Sequence, residues 1–238
     1  MNAHHVSVVF LLLFFSNYSN TTEKKELYEN VVLKALYHND KNGQKEGEAK
    51  MYYPDGNLKF EAEFKSDLIN GKATLYDENG DIMEIASYRK GKLHGVFEKY
   101  YSSGKLKAKM NYSNDKINGS AYSYYESGVT NIEEQYLNGV LDRMSKHYYE
   151  DGKQYAEVMY KNGLKAGGYK LYNKNGTISE KGSYLDNKLN GRIELFNESG
   201  NLVATGTYLY GIKDGVWEII NEDGTRSIVH YEDGEIKD

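Results

Sequence analysis

Glycine recurs in this sequence with a period of 24 residues, and no other feature limits the fold as strongly. One series has glycine at every position except one, where arginine stands: Gly47, Gly71, Gly95, Gly119, Arg143, Gly167, Gly191 and Gly215. A second series follows nine residues later and is glycine throughout: Gly56, Gly80, Gly104, Gly128, Gly152, Gly176, Gly200 and Gly224. Glycines on a fixed period indicate an array of equivalent structural units rather than a nucleotide-binding loop.

Each unit has the pattern of a β-hairpin. The second glycine ends short polar stretches such as "PDG", "ENG" and "KNG", which are typical of a tight turn with a positive φ. After the turn, apolar and polar residues alternate, as from Leu106 to Tyr112, and this predicts a strand with one face in water. A second turn closes the unit at positions that hold only residue types tolerant of the left-handed conformation: Asp67, Gly91, Asp115, Gly139, Gly163, Asn187 and Gly211.

Two other positions of the unit are aromatic in nearly every copy. If each hairpin pairs with the next, equivalent rings are expected to form ladders that pack successive units together. The first row is Tyr52, Tyr76, Tyr100, Tyr124, Tyr148, Tyr172 and Phe196. The second row is Phe64, Tyr88, Tyr112, Tyr136, Tyr160, Tyr184 and Tyr208.

Both ends of the array depart from the repeat. Before Gly47 the sequence reads as a half-unit, with one strand that ends at Tyr37 and a turn through Gly43. At the other end, one residue is missing between Gly224 and Tyr231, and no extra strand is evident before the chain stops. Atypical ends are expected in a repeat array because the terminal units must cap it.

The stretch "YRKGKLHGVFEKYYSSGKLKAKMNY" (residues 88–112) and its relatives resemble the MORN-repeat variant, a bacterial relative of the membrane occupation and recognition nexus repeat. The resemblance extends from Gly47 to Asp238 in eight copies, and Arg143, Asn197 and Asn221 depart from its pattern. Proteins of this kind are often labelled YwqK-like antitoxins, so the resemblance implies an antitoxin function as one alternative.

The predicted fold class is all-β, an elongated, twisted antiparallel sheet of repeated β-hairpins that forms a solenoid-like MORN array. Residues 1–23 are expected to be a signal-peptide-like segment, residues 24–46 an N-terminal capping strand and turn, and residues 47–238 eight MORN-type hairpin repeats. With strands about 4.8 Å apart, eight two-stranded repeats extend roughly 75 Å.

Composition and motifs exclude several function classes. The net charge of −5 disfavours nucleic acid and makes anionic lipid an unlikely partner. The absence of cysteine excludes disulfides, thiolate metal sites and a cysteine nucleophile. His94 and His147 read as ordinary residues of the repeat, and acidic stretches such as "ENGDIME" read as solvated turns. We therefore predict no catalytic residue, cofactor or metal site.

The N-terminus carries an apolar run, Val6 to Phe15, followed by polar sequence. Ten residues cannot span a bilayer, which needs roughly 20, but they suit the apolar region of a signal peptide. The basic residues that usually precede such a region are replaced by His4 and His5. The run predicts an exported protein, whether periplasmic, envelope-associated or secreted. The alternative is a buried N-terminal strand in a cytoplasmic protein.

The favoured function is a non-enzymatic scaffold that binds an unidentified protein partner. The alternatives are a cytoplasmic antitoxin that neutralises a toxin and a lipid-surface binder. The last hairpin has the features of an open edge, with Trp217, Ile219 and Ile220 in its first strand. These residues are the candidate interaction edge, through which a homo-oligomer could form, although Trp217 also suits a plug over the last tyrosine layer.

Overall fold

The computed structural model describes residues 20–237. The predicted signal-peptide segment, Val6 to Phe15, and the last residue, Asp238, lie outside this range. Within it, all regular structure is β: 21 strands form one antiparallel sheet and no helix is present. The predicted all-β fold of sequential hairpins is confirmed.

The strands of the first half are β1 Thr22–Leu27, β2 Leu33–Asn39, β3 Gly47–Tyr52, β4 Leu58–Lys65, β5 Leu68–Tyr76, β6 Ile82–Arg89, β7 Lys92–Tyr100, β8 Leu106–Ser113, β9 Lys116–Tyr124 and β10 Thr130–Leu137. Those of the second half are β11 Val140–Leu141, β12 Arg143–Tyr148, β13 Gln154–Lys161, β14 Leu164–Tyr172, β15 Ile178–Leu185, β16 Lys188–Leu189, β17 Gly191–Phe196, β18 Leu202–Leu209, β19 Ile212–Ile220, β20 Arg226–Glu232 and β21 Glu235–Lys237.

The chain runs as a continuous antiparallel meander from β1 to β21, in which successive full-length strands pair with each other. The short strands β11 and β16 are separated from β12 and β17 by a single residue. β11 and β12 both pair with β10, and β16 and β17 both pair with β15. The sheet stays open, with β1 and β21 at its two ends among the described residues.

The turn at the tip of each hairpin needs its glycine. In every copy the glycine has a φ between 76° and 93°. Its N–H donates to the carbonyl three residues earlier, as from Gly104 to Tyr101 at 2.9 Å. A side chain in this left-handed conformation would be strained. The predicted glycine turn is therefore confirmed.

The second turn of each unit has two successive residues with positive φ, as in Asn114 (50°) and Asp115 (67°). This is the type I′ geometry that suits the twist of the flanking strands. The second residue of the turn also donates its N–H to a carbonyl of the preceding unit, as from Gly91 to Ile69 at 2.8 Å. These turns therefore form a continuous hydrogen-bonded row along one margin of the sheet.

Side chains before the first glycine of a unit reinforce this row. Asn70 and Asn118 accept hydrogen bonds through Oδ1 from the N–H groups of Lys90 at 3.1 Å and Asn138 at 3.0 Å, each 20 residues further on. Asp142 and Asn190 accept equivalent bonds in later units. This role was not predicted from the sequence, although Asn or Asp recurs immediately before the first glycine of several units.

Most of the buried side chains lie on one face of the sheet, and the row of them across its middle we call the inner row; Thr74 and Thr205 are buried on the opposite face. The inner row contains the residues two and fifteen positions after the start of each unit, and these face each other across the strands, as Ala49 faces Ala62 and Ala73 faces Ala86. The most buried apolar residues include Ala49, Ala62, Ala73, Ala86, Tyr169, Ile193 and Trp217. We call the face with this row the inner face and its opposite the outer face.

The expected ladders of equivalent rings are not what the structure shows. The ring contacts of the second aromatic row are with aromatic members of the inner row, as for Phe97 and Tyr112 with centroids 5.8 Å apart, and Tyr169 and Tyr184 at 4.7 Å. The reason is spacing: equivalent residues of successive units are separated by two strands, or about 9.6 Å, which exceeds ring-contact distance.

Each end of the sheet has one strand more than the sequence indicated. The N-terminal strand β1 pairs with β2, so this end is a full hairpin, and β1 begins within the segment expected to be signal-like. All six residues of β1 are exposed and mostly charged, so it has no alternating apolar pattern to detect. At the C-terminus the three-residue β21 pairs with β20 and is likewise exposed.

Candidate interaction surface

A row of polar side chains crosses the middle of the outer face, and we call it the charged row. Its members lie three and fourteen residues after the start of each unit and pair directly across the strands. Lys50 lies opposite Glu61, and Glu98 opposite Lys109, with 2.9 Å between the latter two side chains. Hydrogen bonds from Lys109 and Tyr100 lower the pKa of Glu98. These half-buried pairs are of the kind that stabilise a sheet modestly.

One hairpin breaks the charge pattern of this row. Lys170 and Lys181 lie directly opposite each other, and in the other described hairpins the row never places two like charges in register. Each lysine forms an ion pair with a carboxylate on the neighbouring strand that lies away from the other lysine. Lys170 Nζ is 2.7 Å from Glu157, and Lys181 Nζ is 2.5 Å from Glu194. Like charges directly opposite are unfavourable in a sheet.

The flanking row on the outer face is also interrupted in this hairpin. Gly168 lies opposite Ser183, whereas the neighbouring hairpins place Met144 opposite Met159 and Arg192 opposite Thr207. The two small residues leave an open cleft of about 520 Å³. We call it the Gly168 cleft; its walls include Met144, Met159, Lys170, Lys181, Arg192 and Glu194.

The charges around the Gly168 cleft are linked to one another. Glu194 is shared, since its second carboxylate oxygen is 3.3 Å from Arg192 Nε. Burial alone would raise the pKa of Glu157, but hydrogen bonds from Lys170 and Gln154 outweigh it and lower that pKa. Each carboxylate holds one lysine away from the other lysine. The cleft is lined by three cationic and two anionic side chains.

Exposed aliphatic side chains flank the type I′ turns in the second half of the sheet. We call them the turn row; its members are between 40% and 58% exposed and comprise Leu137, Val140, Leu164, Leu185, Leu209 and Ile212. In the first half the same positions are mostly Lys, Arg or Ser, with Leu68 as an aliphatic exception, and in the second half Lys161 and Lys188 interrupt the row. Because the units repeat side by side, these residues lie along one margin at a spacing of about 10 Å.

A polar cluster interrupts the inner row near its middle. Ser145 is fully buried, and its Oγ lies 3.0 Å from His147 Nε2 and 3.5 Å from a carboxylate oxygen of Glu134. Tyr136 donates to the other oxygen of Glu134 at 2.8 Å. Burial raises the pKa of Tyr136 to about 12, with Glu134 adding to the effect. The serine and histidine are near enough for nucleophile activation, but a substrate cannot reach a serine with no exposed surface.

His147 was interpreted from sequence as an ordinary strand residue, and the structure gives it a specific environment. Its ring packs against Tyr155 with centroids 5.6 Å apart. Burial lowers its pKa, partly opposed by Glu134 and assisted by Lys165. The neutral imidazole is therefore favoured in the folded chain. Ser145 is two residues before His147 in β12, but Glu134 comes from β10, so the sequence around His147 does not reveal the whole environment.

The three residues of the predicted interaction edge differ in their exposure. Trp217 is 4% exposed in the inner row; its rings contact Tyr208 and Tyr231, and its Nε1 donates to the Thr207 carbonyl at 3.1 Å. Ile219 is 39% exposed and Ile220 half-buried. All three lie in β19, and β20 and β21 follow it in the sheet. An interaction through this edge stays a prediction.

Between residues 20 and 237, no cluster of three or more His, Asp or Glu side chains has a geometry suited to a metal ion. The same range contains no helix that could cross a membrane.

Comparison with known proteins identifies the repeat. Residues 45–66, 69–90, 93–114 and 145–162 match the family model described as MORN repeat variant. No curated protein matches the chain. Each of the first three matched segments contains the tip turn of a hairpin and ends at a type I′ turn, so the matches follow the structural period. Four segments of the chain are therefore similar to the MORN repeat variant.

Proposed function

We propose that the chain is a non-enzymatic repeat scaffold that binds another protein. The observation that carries this proposal is the turn row. Soluble proteins rarely leave a series of large aliphatic side chains in water along one margin, and such surfaces are typical of protein interfaces. The type I′ turns hold the row rigidly because each one is hydrogen-bonded to the unit before it, so its side chains need little ordering when a partner binds.

The binding proposal is tested by affinity capture with the full chain as bait. A variant with Leu137→Ser, Leu164→Ser, Leu185→Ser and Leu209→Ser removes most of the turn row without touching the inner row. Wild-type protein is expected to retain one stoichiometric partner, and the variant to lose it. The matched control is Leu68→Ser, at the position equivalent to Leu164 but in the first unit. Equal capture by wild type and the fourfold variant would refute the role of this row.

We further propose that all eight units from Gly47 onward are MORN-type repeats and that the run from Val6 to Phe15 directs export. The constant turn geometry supports the first statement, and the length of the apolar run supports the second. N-terminal sequencing of the mature protein is expected to begin between about Asn17 and Glu23. Recovery of intact Met1 from the cytosol would favour the antitoxin alternative, in which the captured partner is a toxin.

A further inference from the structure

The Gly168 cleft contains a glycine that neither backbone conformation nor packing requires. The glycines of the turns and unit starts have positive φ values, but Gly168, Gly182 and Gly206 do not. A Cβ at Gly182 would lie 3.0 Å from the Tyr169 ring, and one at Gly206 would lie 2.1 Å from the Trp217 ring, so both make room for a neighbour. A Cβ at Gly168 would meet only the Gly182 carbonyl oxygen, at 4.0 Å.

Glycine in a strand interior weakens the sheet because it has no side chain to pack and loses more backbone entropy on folding. The opposed lysines Lys170 and Lys181 are a second unfavourable choice in the same hairpin. Residues that destabilise the fold without a compensating contact are expected at functional positions. Gly168 and the opposed lysines all line the cleft, which indicates that the cleft binds a ligand.

The chemistry of the walls defines the ligand. Met144 and Met159 give one side an adaptable, polarisable apolar surface. The other sides carry Lys170, Lys181 and Arg192 against the two carboxylates, an excess of positive charge in a chain whose net charge is −5. An anion between the two lysines would relieve their repulsion. A ligand that combines an apolar group with carboxylates satisfies both surfaces.

We propose that the Gly168 cleft binds an acidic segment of a protein partner, with one apolar side chain in the space above Gly168 and a neighbouring carboxylate between Lys170 and Lys181. The apolar side chain contacts the thioethers of Met144 and Met159, and Arg192 adds a second anchor for acidic residues. This inference rests on the proposed protein-binding function, but it concerns the outer face and not the turn row.

The methionine methyl groups provide a direct readout. The chain has six methionines, and of the five in the described range only Met144 and Met159 line the cleft. The probe is a blocked peptide of sequence Ser-Glu-Glu-Phe-Glu-Glu-Ser, added to full-length protein labelled with ¹³C at the methionine methyls. The signals of Met144 and Met159 are expected to shift in a saturable way while those of Met51 and Met83 stay in place. A peptide with Lys in place of Glu is expected to give no shift.

Two variants test the residues. Gly168→Val fills the space with a residue suited to a strand and is expected to weaken peptide binding about tenfold or more while the thermal unfolding midpoint stays equal or rises. Lys170→Gln with Lys181→Gln is expected to weaken binding similarly and to reduce its salt dependence. Lys109→Gln is the matched control, because Lys109 is in the same row and its side chain is 44% exposed, as is that of Lys170.

The outcomes separate this inference from the scaffold proposal. Unchanged peptide affinity in both cleft variants would overturn the inference, even if the captured partner still binds through the turn row. Equal methyl shifts with sodium phosphate or with vesicles of anionic phospholipid would also overturn it, because the cleft would then be a general anion site. Peptide binding that depends on Gly168 and the lysines, without any captured partner, would support the cleft and contradict the turn row.

Discussion

The first three units (residues 47–118) and the last three (167–237) build the same sheet with different interiors. In the first three the inner row is mostly alanine on both strands, as with Ala49 opposite Ala62. In two of the last three a large residue occupies one strand and a glycine the other, Tyr169 opposite Gly182 and Ile193 opposite Gly206, whereas Trp217 lies opposite Val229. Large inner-row residues of the last three units are therefore accommodated by glycines on neighbouring strands, since Gly182 leaves room for Tyr169 and Gly206 for Trp217.

The same two regions also stabilise the hairpin tips differently. In most units of the first half a tyrosine hydroxyl joins one unit to the next, as from Tyr101 to the Tyr124 carbonyl at 2.7 Å, although Asp77 holds this position in the second unit. In the last three units this position is asparagine, whose side chain bonds within its own turn, as from the Asn201 N–H to Asn197 Oδ1 at 2.9 Å. A hydrogen bond between units is thus replaced by one within the turn.

Gly206→Ala is expected to have the largest effect. Its Cβ would lie 2.1 Å from Cδ2 of Trp217, so the indole must move, and overpacking of this kind costs about 3 kcal/mol of unfolding free energy. Urea unfolding followed by circular dichroism measures the loss. Gly182→Ala is expected to cost less, because the nearest atom is 3.0 Å away. If Trp217→Ala does not relieve the cost of Gly206→Ala, the explanation that Gly206 makes room for Trp217 is wrong.

Tyr101→Phe tests the bridge between units. The Tyr124 carbonyl loses its hydroxyl donor, and we expect a loss of about 1 kcal/mol in unfolding free energy. The control is Tyr149→Phe, whose hydroxyl is 3.5 Å from the Tyr172 carbonyl at the border of the two regions, and its effect is expected to be smaller. Equal losses in the two variants would show that the hydroxyl bonds do not distinguish the regions.

Arg143→Gly is expected to stabilise the chain at the junction of the two regions. Arg143 has a φ of 76°, and a side chain in this left-handed conformation is strained, so the gain is about 0.5–1 kcal/mol. Thermal unfolding measures it. The reverse exchange one unit earlier, Gly119→Arg, is expected to destabilise, because Gly119 has a φ of 102°. A stabilising Gly119→Arg would contradict the assignment of these positions.

The smallest expected effect is a pH dependence from the polar cluster at the same junction. Burial holds the pKa of His147 in the folded chain below the usual 6.5 of histidine, so the unfolded chain takes up a proton first and stability falls as pH drops through about 6.5 toward the folded pKa. The thermal midpoint should fall between pH 7.5 and 5.5 in wild type and less in His147→Gln. The carboxylates with lowered pKa, Glu98 and Glu157, lose their contribution only at lower pH. Parallel pH profiles would exclude His147 as the cause.

The repeat and its turns can be recognised in the sequence because both depend on local chemistry. A positive φ is a property of one residue and its neighbours, so the recurrence of glycine and of Asp, Asn or Gly at the second turn predicts the hairpins directly. The charged strand β1 escaped detection because it is stabilised by pairing with β2 and not by an apolar face. The cluster of Glu134, Ser145 and His147 escaped because Glu134 lies in β10, away from Ser145 and His147 in β12.

Trp217 and Gly168 show where sequence information ends. The sequence by itself determined an all-β array of hairpins, because a 24-residue period fixes turns and strands whatever fills the space between them. It did not distinguish a glycine kept for its φ from one kept for the room it leaves. The tertiary structure showed that Gly206 accommodates Trp217 and that, among residues 20–237, Gly168 makes room for no side chain, because side chains from different strands share the same space.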